Sequence, residues 1–185
     1  HIVNKCIEIA QDDSIKYRDR EKAIIDYIRK EQMYLVEKFK VDEIFMTEDN
    51  KTIWDYCDTL NSLNIVTEKW PKILSQLEEL EYSENDIVKF EEYLGDREKE
   101  YENILVYFLY KHIMYGTNDG NVFQRVRFAI IATRIIFMVG LMKFIENEEF
   151  TTEDNIKVAY IFSKEIEHDD ENIDTILEDI SLGMI

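Results

Sequence analysis

Proline and glycine are nearly absent from this sequence. One proline (Pro71) and five glycines in 185 residues leave few places to break a helix or close a tight turn. Long helices are therefore expected, rather than many short strands. Cysteine is scarce as well. Cys6 and Cys57 form no C-x-x-C pair and no set of four, so alone they cannot supply a zinc site or an iron–sulfur cluster. Two isolated thiols fit a reducing, cytoplasmic compartment and do not fit a disulfide scaffold. Basic charge is in the minority, with 22 Lys and Arg against 40 Asp and Glu and a net charge of −18. Such a surface repels phosphate backbones and anionic lipid, which argues against nucleic-acid or membrane partners. It keeps the chain soluble, or it attracts a basic protein.

Other absences narrow the chemistry. No G-x-G-x-x-G, Walker A, G-x-S-x-G or H-E-x-x-H pattern occurs. A self-contained catalytic domain is therefore not supported. No signal peptide is visible, and the most apolar run, Phe128 to Met142, contains Arg134 and falls short of the roughly 20 residues that span a bilayer. The chain begins at His1 inside helical-looking sequence, which predicts a C-terminal piece of a longer protein.

What is present is hydrophobic periodicity, within a content of 45% hydrophobic residues. A short helix ending near Gln11 precedes a long one over about 14–40, and a loop follows through "MTEDNK". Residues 52–61 form a short helix. Thr67 is the expected N-cap of the next, with Pro71 in its first turn. Ser83 with Asp86 makes a capping-box pattern, and Gly95 is the expected stop. The next helix spans 96–115, closed by Gly116, and "GTNDGN" is the clearest loop. Residues 122 to about 147 form one long helix, apolar on nearly every side and hence central. Thr151 or Thr152 caps a helix reaching His168, and a last amphipathic helix follows. The expected fold is all-α, an irregular bundle of about seven or eight helices around a long central apolar helix. It forms a single domain with a possible subdivision near residue 95.

"FSKEIEHDDEN", from Phe162 to Asn172, puts Glu165, His168 and Asn172 at helical spacings. Glu165 and His168 make one Glu-x-x-His pair, but a di-iron bundle needs two. His112 is preceded three residues earlier by Leu109, so the second pair is missing. No metal site is expected, although a mononuclear site from Glu165, His168 and His112 is the sharpest metal alternative. Glu165 and His168 remain weak catalytic candidates, and Tyr107, His112 and Asn172 weak substrate-binding ones. The structural reading makes Glu165 a partly buried carboxylate in need of a cation. Arg127 and Arg134, seven apart in apolar sequence, need carboxylates in turn. An ion pair between Glu165 and Arg134 or Arg127 follows, unless both arginines snorkel outward. His112 continues an apolar stripe and fits a neutral core histidine with a backbone partner. Tyr101, Tyr107, Tyr110 and Tyr115 line an amphipathic pocket or sit at the core boundary. Trp54 and Trp70 are expected packing anchors.

"ENILVYFLYKHIMYG" (Glu102 to Gly116), "RVRFAIIATRIIFMVGLMKF" and "KVAYIFSKEIEHDDENI" (Lys157 to Ile173), in that order, resemble the C-terminal half of the bacterial flagellin lysine-N-methylase family. The earlier "LNSLNIVTEKWPKILSQL" is similar to that family's Leu-rich segment leading to a tryptophan. The family-like positions are Glu102, Asn103, Tyr107, Glu165, His168 and Asn172. Lys164 stands where an arginine is more usual, which removes the fork that would grip a carboxylate or phosphate. The resemblance implies a parent that methylates lysine side chains of flagellin or another protein. It also implies S-adenosylmethionine and an iron–sulfur cluster in a cysteine-rich N-terminal region that this sequence does not contain. No cofactor is expected in this piece itself, and no methyltransferase activity alone. The runner-up is an acidic all-α protein-interaction module with no enzymatic activity.

Overall fold

The computed structural model describes residues 1–39 and 53–182. Among them the chain forms nine α-helices and no strand: α1 (Ile2–Ala10), α2 (Tyr17–Phe39), α3 (Ile53–Ser62), α4 (Lys69–Glu78), α5 (Glu84–Leu94), α6 (Glu98–Asp119), α7 (Val122–Asn147), α8 (Thr152–Phe162) and α9 (Asp170–Ser181). A 3₁₀ turn over Gly95–Arg97 leads into α6, and a π-turn over Ser163–Glu167 extends α8. The expected loop "MTEDNK" lies outside the described residues.

The caps follow from local chemistry. Ser83 and Asp86 make the reciprocal capping box that starts α5, and Thr151 with Asp154 does the same for α8. Pro71 lies in the first turn of α4, where a missing N–H is harmless. The residue at the N-cap of that helix is Glu68, one later than expected, but Thr67 Oγ1 still accepts from the Lys69 amide at 3.3 Å while donating to a tertiary contact described below. Asn121 caps α7 by accepting from the Gln124 amide. Gln32, fully buried on α2, adds a second cap. Its Oε1 accepts from Val122 and Phe123 amides at 3.1 and 3.2 Å, and its Nε2 donates to the Gly120 carbonyl at 2.9 Å.

The helix expected to stop at Gly116 runs one turn further and ends at Gly120, whose φ of 75° is the left-handed conformation that favours glycine. Gly116 serves packing instead. A Cβ there would lie 3.0 Å from both the Asn121 carbonyl oxygen and Arg125 Cγ. Gly116→Ala is therefore expected to cost about 1–3 kcal/mol by forcing α6 off the start of α7. Thermal or urea unfolding reads this directly, and an unchanged midpoint would contradict the close approach.

α7 is the hub. It packs against α2, α4, α5, α6, α8 and α9. By length and composition it passes for a membrane span, but 72% of its most apolar stretch is buried inside the protein, as befits a core helix. One apolar cluster runs from Val3 and Cys6 of α1 through Trp70 and Phe90 to Ile176 and Ile180 of α9. Arg20 ties the first helices to α6. Its Nη1 donates to Glu102 at 2.7 Å and to the Ala10 carbonyl at 2.9 Å, and both side chains are buried.

Candidate functional site

The "FSKEIEHDDEN" stretch leaves α8 through the π-turn, whose extra residue per turn changes which side chains face inward. Glu165 and Glu167 both end up buried, while His168 is exposed. The Glu165 carboxylate turns to the loop between α3 and α4. It accepts from the Val66 and Thr67 amides at 2.9 and 3.0 Å, and from Thr67 Oγ1 at 2.8 Å. Burial works against its charge, but these three hydrogen bonds outweigh it and hold the carboxyl below its ordinary pKa. Asn172 closes the same loop. Its Oδ1 accepts from the Asn64 amide at 2.7 Å, and its Nδ2 donates to the carbonyls of Asn64 and Glu165. Glu165 and Asn172 thus latch the loop at 64–67 onto the end of α8.

The expected ion pair of Glu165 with Arg134 or Arg127 is replaced by this latch, because aligned amide donors neutralise a carboxylate without a cation. Arg134 instead pairs with Glu21 of α2, Nε to Oε2 at 2.7 Å. Arg127 is buried on α7 rather than snorkelling outward. His168 places Nδ1 2.7 Å from the Ser163 carbonyl, closing the helix end. His168 therefore does not join Glu165 and Asn172 at the loop. Among the described residues no three His, Cys, Asp or Glu side chains form a group that could hold a metal ion.

The residue that gathers polar groups is Glu167, which the sequence reading passed over. Its side chain is 0% exposed. Lys111 Nζ lies 2.9 Å from Oε1, His112 Nε2 lies 3.3 Å from Oε1, and the Tyr107 hydroxyl donates to Oε2 at 3.2 Å. The Ser163 hydroxyl donates to Oε2 as well. Desolvation opposes ionisation here, yet the bonds from His112, Ser163 and Lys111 prevail and bring the carboxyl down to about 2. The buried partner of His112 is thus a carboxylate rather than the backbone group expected. Half of the signal was available: His112 lies on an apolar stripe, but Glu167 has Ser163 and Lys164 at the preceding helical spacings, and nothing local marked it as buried. Seeing that they meet required knowing that α6 and α8 lie side by side.

These two helices run in the same direction. Glu100 of α6 accepts from Thr152 Oγ1 and Asn155 Nδ2 near the start of α8, at 2.6 and 2.8 Å. Tyr107 and Lys111, further along α6, meet Glu167 at the far end. Their outer ridges carry exposed rings and aliphatics: Tyr107, Tyr110, Met114 and Tyr115 on α6, Ile156 and Tyr160 on α8. Tyr110 is 61% and Tyr160 64% exposed. Tyr101, by contrast, is buried in the core. Trp70 is fully buried with its ring edge-on to Phe162, as befits an anchor, but Trp54 is 42% exposed and stacks on Tyr82 at 5.5 Å.

Cys6 on α1 and Cys57 on α3 are both buried, and burial pushes their thiols up to about 12 and about 11, so both stay protonated. No curated protein and no solved structure matches the chain. The family model of the FliB lysine N-methylase C-terminal domain matches residues 3–182, essentially the whole helical bundle just described, and the chain belongs to that family.

Proposed function

We propose that this domain holds the protein substrate, flagellin, for a lysine N-methylase whose chemistry is supplied by another part of the enzyme. The observation that carries this reading is the tyrosine-bearing face of α6 and α8, whose rings stand in solvent on a scaffold pinned from below by the buried Glu167. Tyrosine offers large contact area at small entropy cost, and exposed apolar groups clustered on one face mark a protein-binding surface. The remaining surface, within a net charge of −18, draws a lysine-bearing protein in from a distance. Neither Glu165 nor His168 has the setting of an acid–base pair. One is consumed by a structural latch, and the other closes a helix end.

The face is tested by replacing Tyr110 and Tyr160 together with alanine. Both side chains are mostly in solvent, so stability should change by less than about 1 kcal/mol. Affinity for flagellin, measured by calorimetry, should fall about tenfold or more. Undiminished binding by a folded double variant would exclude this face.

A further inference from the structure

A cavity of about 410 Å³ opens between the start of α2, α3, the segment before α5, and the middle of α7. That volume is in the range of small-molecule sites. It shares no residue with the tyrosine face of α6 and α8. Tyr17, Tyr56, Tyr82 and Phe137 give it aromatic walls. Its lining charges cancel pair by pair. Arg134 lies 2.7 Å from Glu21, and Arg18 lies 2.5 Å from Glu91 and also reaches Glu84, just beyond the lining. The groups left for a ligand are uncharged. Among the described residues the hydroxyls of Tyr17 and Tyr82 make no hydrogen bond. Burial pushes both phenols above their ordinary pKa, so they stay neutral.

This lining selects by charge and by shape. A cation would enter beside Arg18 and Arg134, and an anion beside Glu21 and Glu91. Either would shed its hydration to meet charges that already have partners. Attraction of a cation to the tyrosine faces is offset by the two guanidiniums. A neutral molecule avoids these costs. Aromatic walls favour a flat ring, stacked with an offset or held edge-on. The two hydroxyls each donate and accept, so they favour a ring that carries a carbonyl, a ring nitrogen or a hydroxyl. We propose that this cavity binds a small, uncharged, planar aromatic molecule with at least one hydrogen-bonding group, seated among Tyr17, Tyr82 and Phe137. The inference stands on the cavity alone and does not depend on the substrate reading of α6 and α8.

Three compounds with one fused ring system and different charges test it: quinoline, which is neutral, N-methylquinolinium, a cation, and quinaldate, an anion. Each is titrated into the 185-residue chain at neutral pH, following heat and the two tryptophan indole N–H resonances, assigned with Trp54→Phe. Trp54 stacks on Tyr82, which lines the cavity, whereas the only other tryptophan, Trp70, is fully buried against Phe162. Saturable binding of quinoline is expected, with a shift of the Trp54 resonance and none of Trp70. Both charged analogues should bind at least about tenfold less tightly. Ile87→Trp, at a half-buried position of the wall, should fill the space and abolish binding. Removing both hydroxyls with Tyr17→Phe and Tyr82→Phe together keeps the rings and should weaken binding about threefold to tenfold. No heat and no Trp54 shift at millimolar quinoline would overturn the proposal. So would equal binding of the charged analogues, which would mark an unselective apolar cleft. Full affinity in a folded Ile87→Trp protein, or in the tyrosine double variant, would overturn it too.

Discussion

Glu165→Ala should destabilise the domain by about 3 kcal/mol or more, measured as the loss of unfolding free energy in urea. The carboxylate accepts three hydrogen bonds in a buried setting, and each charge-assisted bond of this kind contributes on the order of 1.5–3 kcal/mol. Truncation also leaves the Val66 and Thr67 amides without their acceptor and frees the loop from the end of α8. Glu165→Gln keeps the shape and one acceptor oxygen, so it should lose less. The arginine-pair alternative predicts a different pattern. If a guanidinium neutralised Glu165, then Arg134→Met would be as damaging as Glu165→Ala. The structure ties Arg134 to Glu21 instead, and the Arg134 side chain is 34% exposed, so the arginine variant should be much the milder of the two. Equal effects in the two variants would contradict the latch.

Glu167 should give the domain an acid-sensitive limb. In the folded protein its carboxyl titrates near 2, against an ordinary value of 4.5. The unfolded chain therefore takes up this proton first as pH falls. The stabilisation is complete above about pH 4.5 and is lost progressively between there and about pH 2. Its size is of the order of 3 kcal/mol, at 1.36 kcal/mol per pH unit of displacement. Glu167→Gln should lower stability at pH 7 and flatten this part of the pH profile. Stability measured from pH 7 to pH 3 in the two proteins tests it. A profile equally steep in the variant would place the acid sensitivity elsewhere. The same substitution loosens Tyr107, Lys111, His112 and Ser163 at once, because all four meet at this carboxylate.

The helices were legible because their signals are local. The scarcity of proline and glycine, the Ser83–Asp86 and Thr151–Asp154 boxes and the uniformly apolar α7 each depend on neighbours within one or two turns. The misplaced helix end at Gly116 came from reading a glycine as a stop when its role is contact. The glycine that stops the helix, Gly120, stands four residues on. The site was harder to read because its pairings are distant in sequence. Glu165 meets Thr67 across 98 residues, and His112 meets Glu167 across 55. Charge bookkeeping correctly required a partner for Glu165 but chose arginine, since a sequence displays side-chain cations and hides backbone amides. The π-turn was also hidden. It is what turns both Glu165 and Glu167 inward, and a regular helix offers no such pair two residues apart. The stretch from Phe162 to Asn172 thus carries a latch and a buried carboxylate, one holding the loop at 64–67 and the other meeting Tyr107, Lys111 and His112 of α6.

Hydrogen exchange on the 185-residue chain with and without flagellin tests the central claim most directly. The account predicts slowed exchange confined to the outer turns of α6 around 103–115 and of α8 around 156–164, with the interior of α7 unchanged. Protection that falls elsewhere on the domain, or no protection at saturating flagellin, would contradict it.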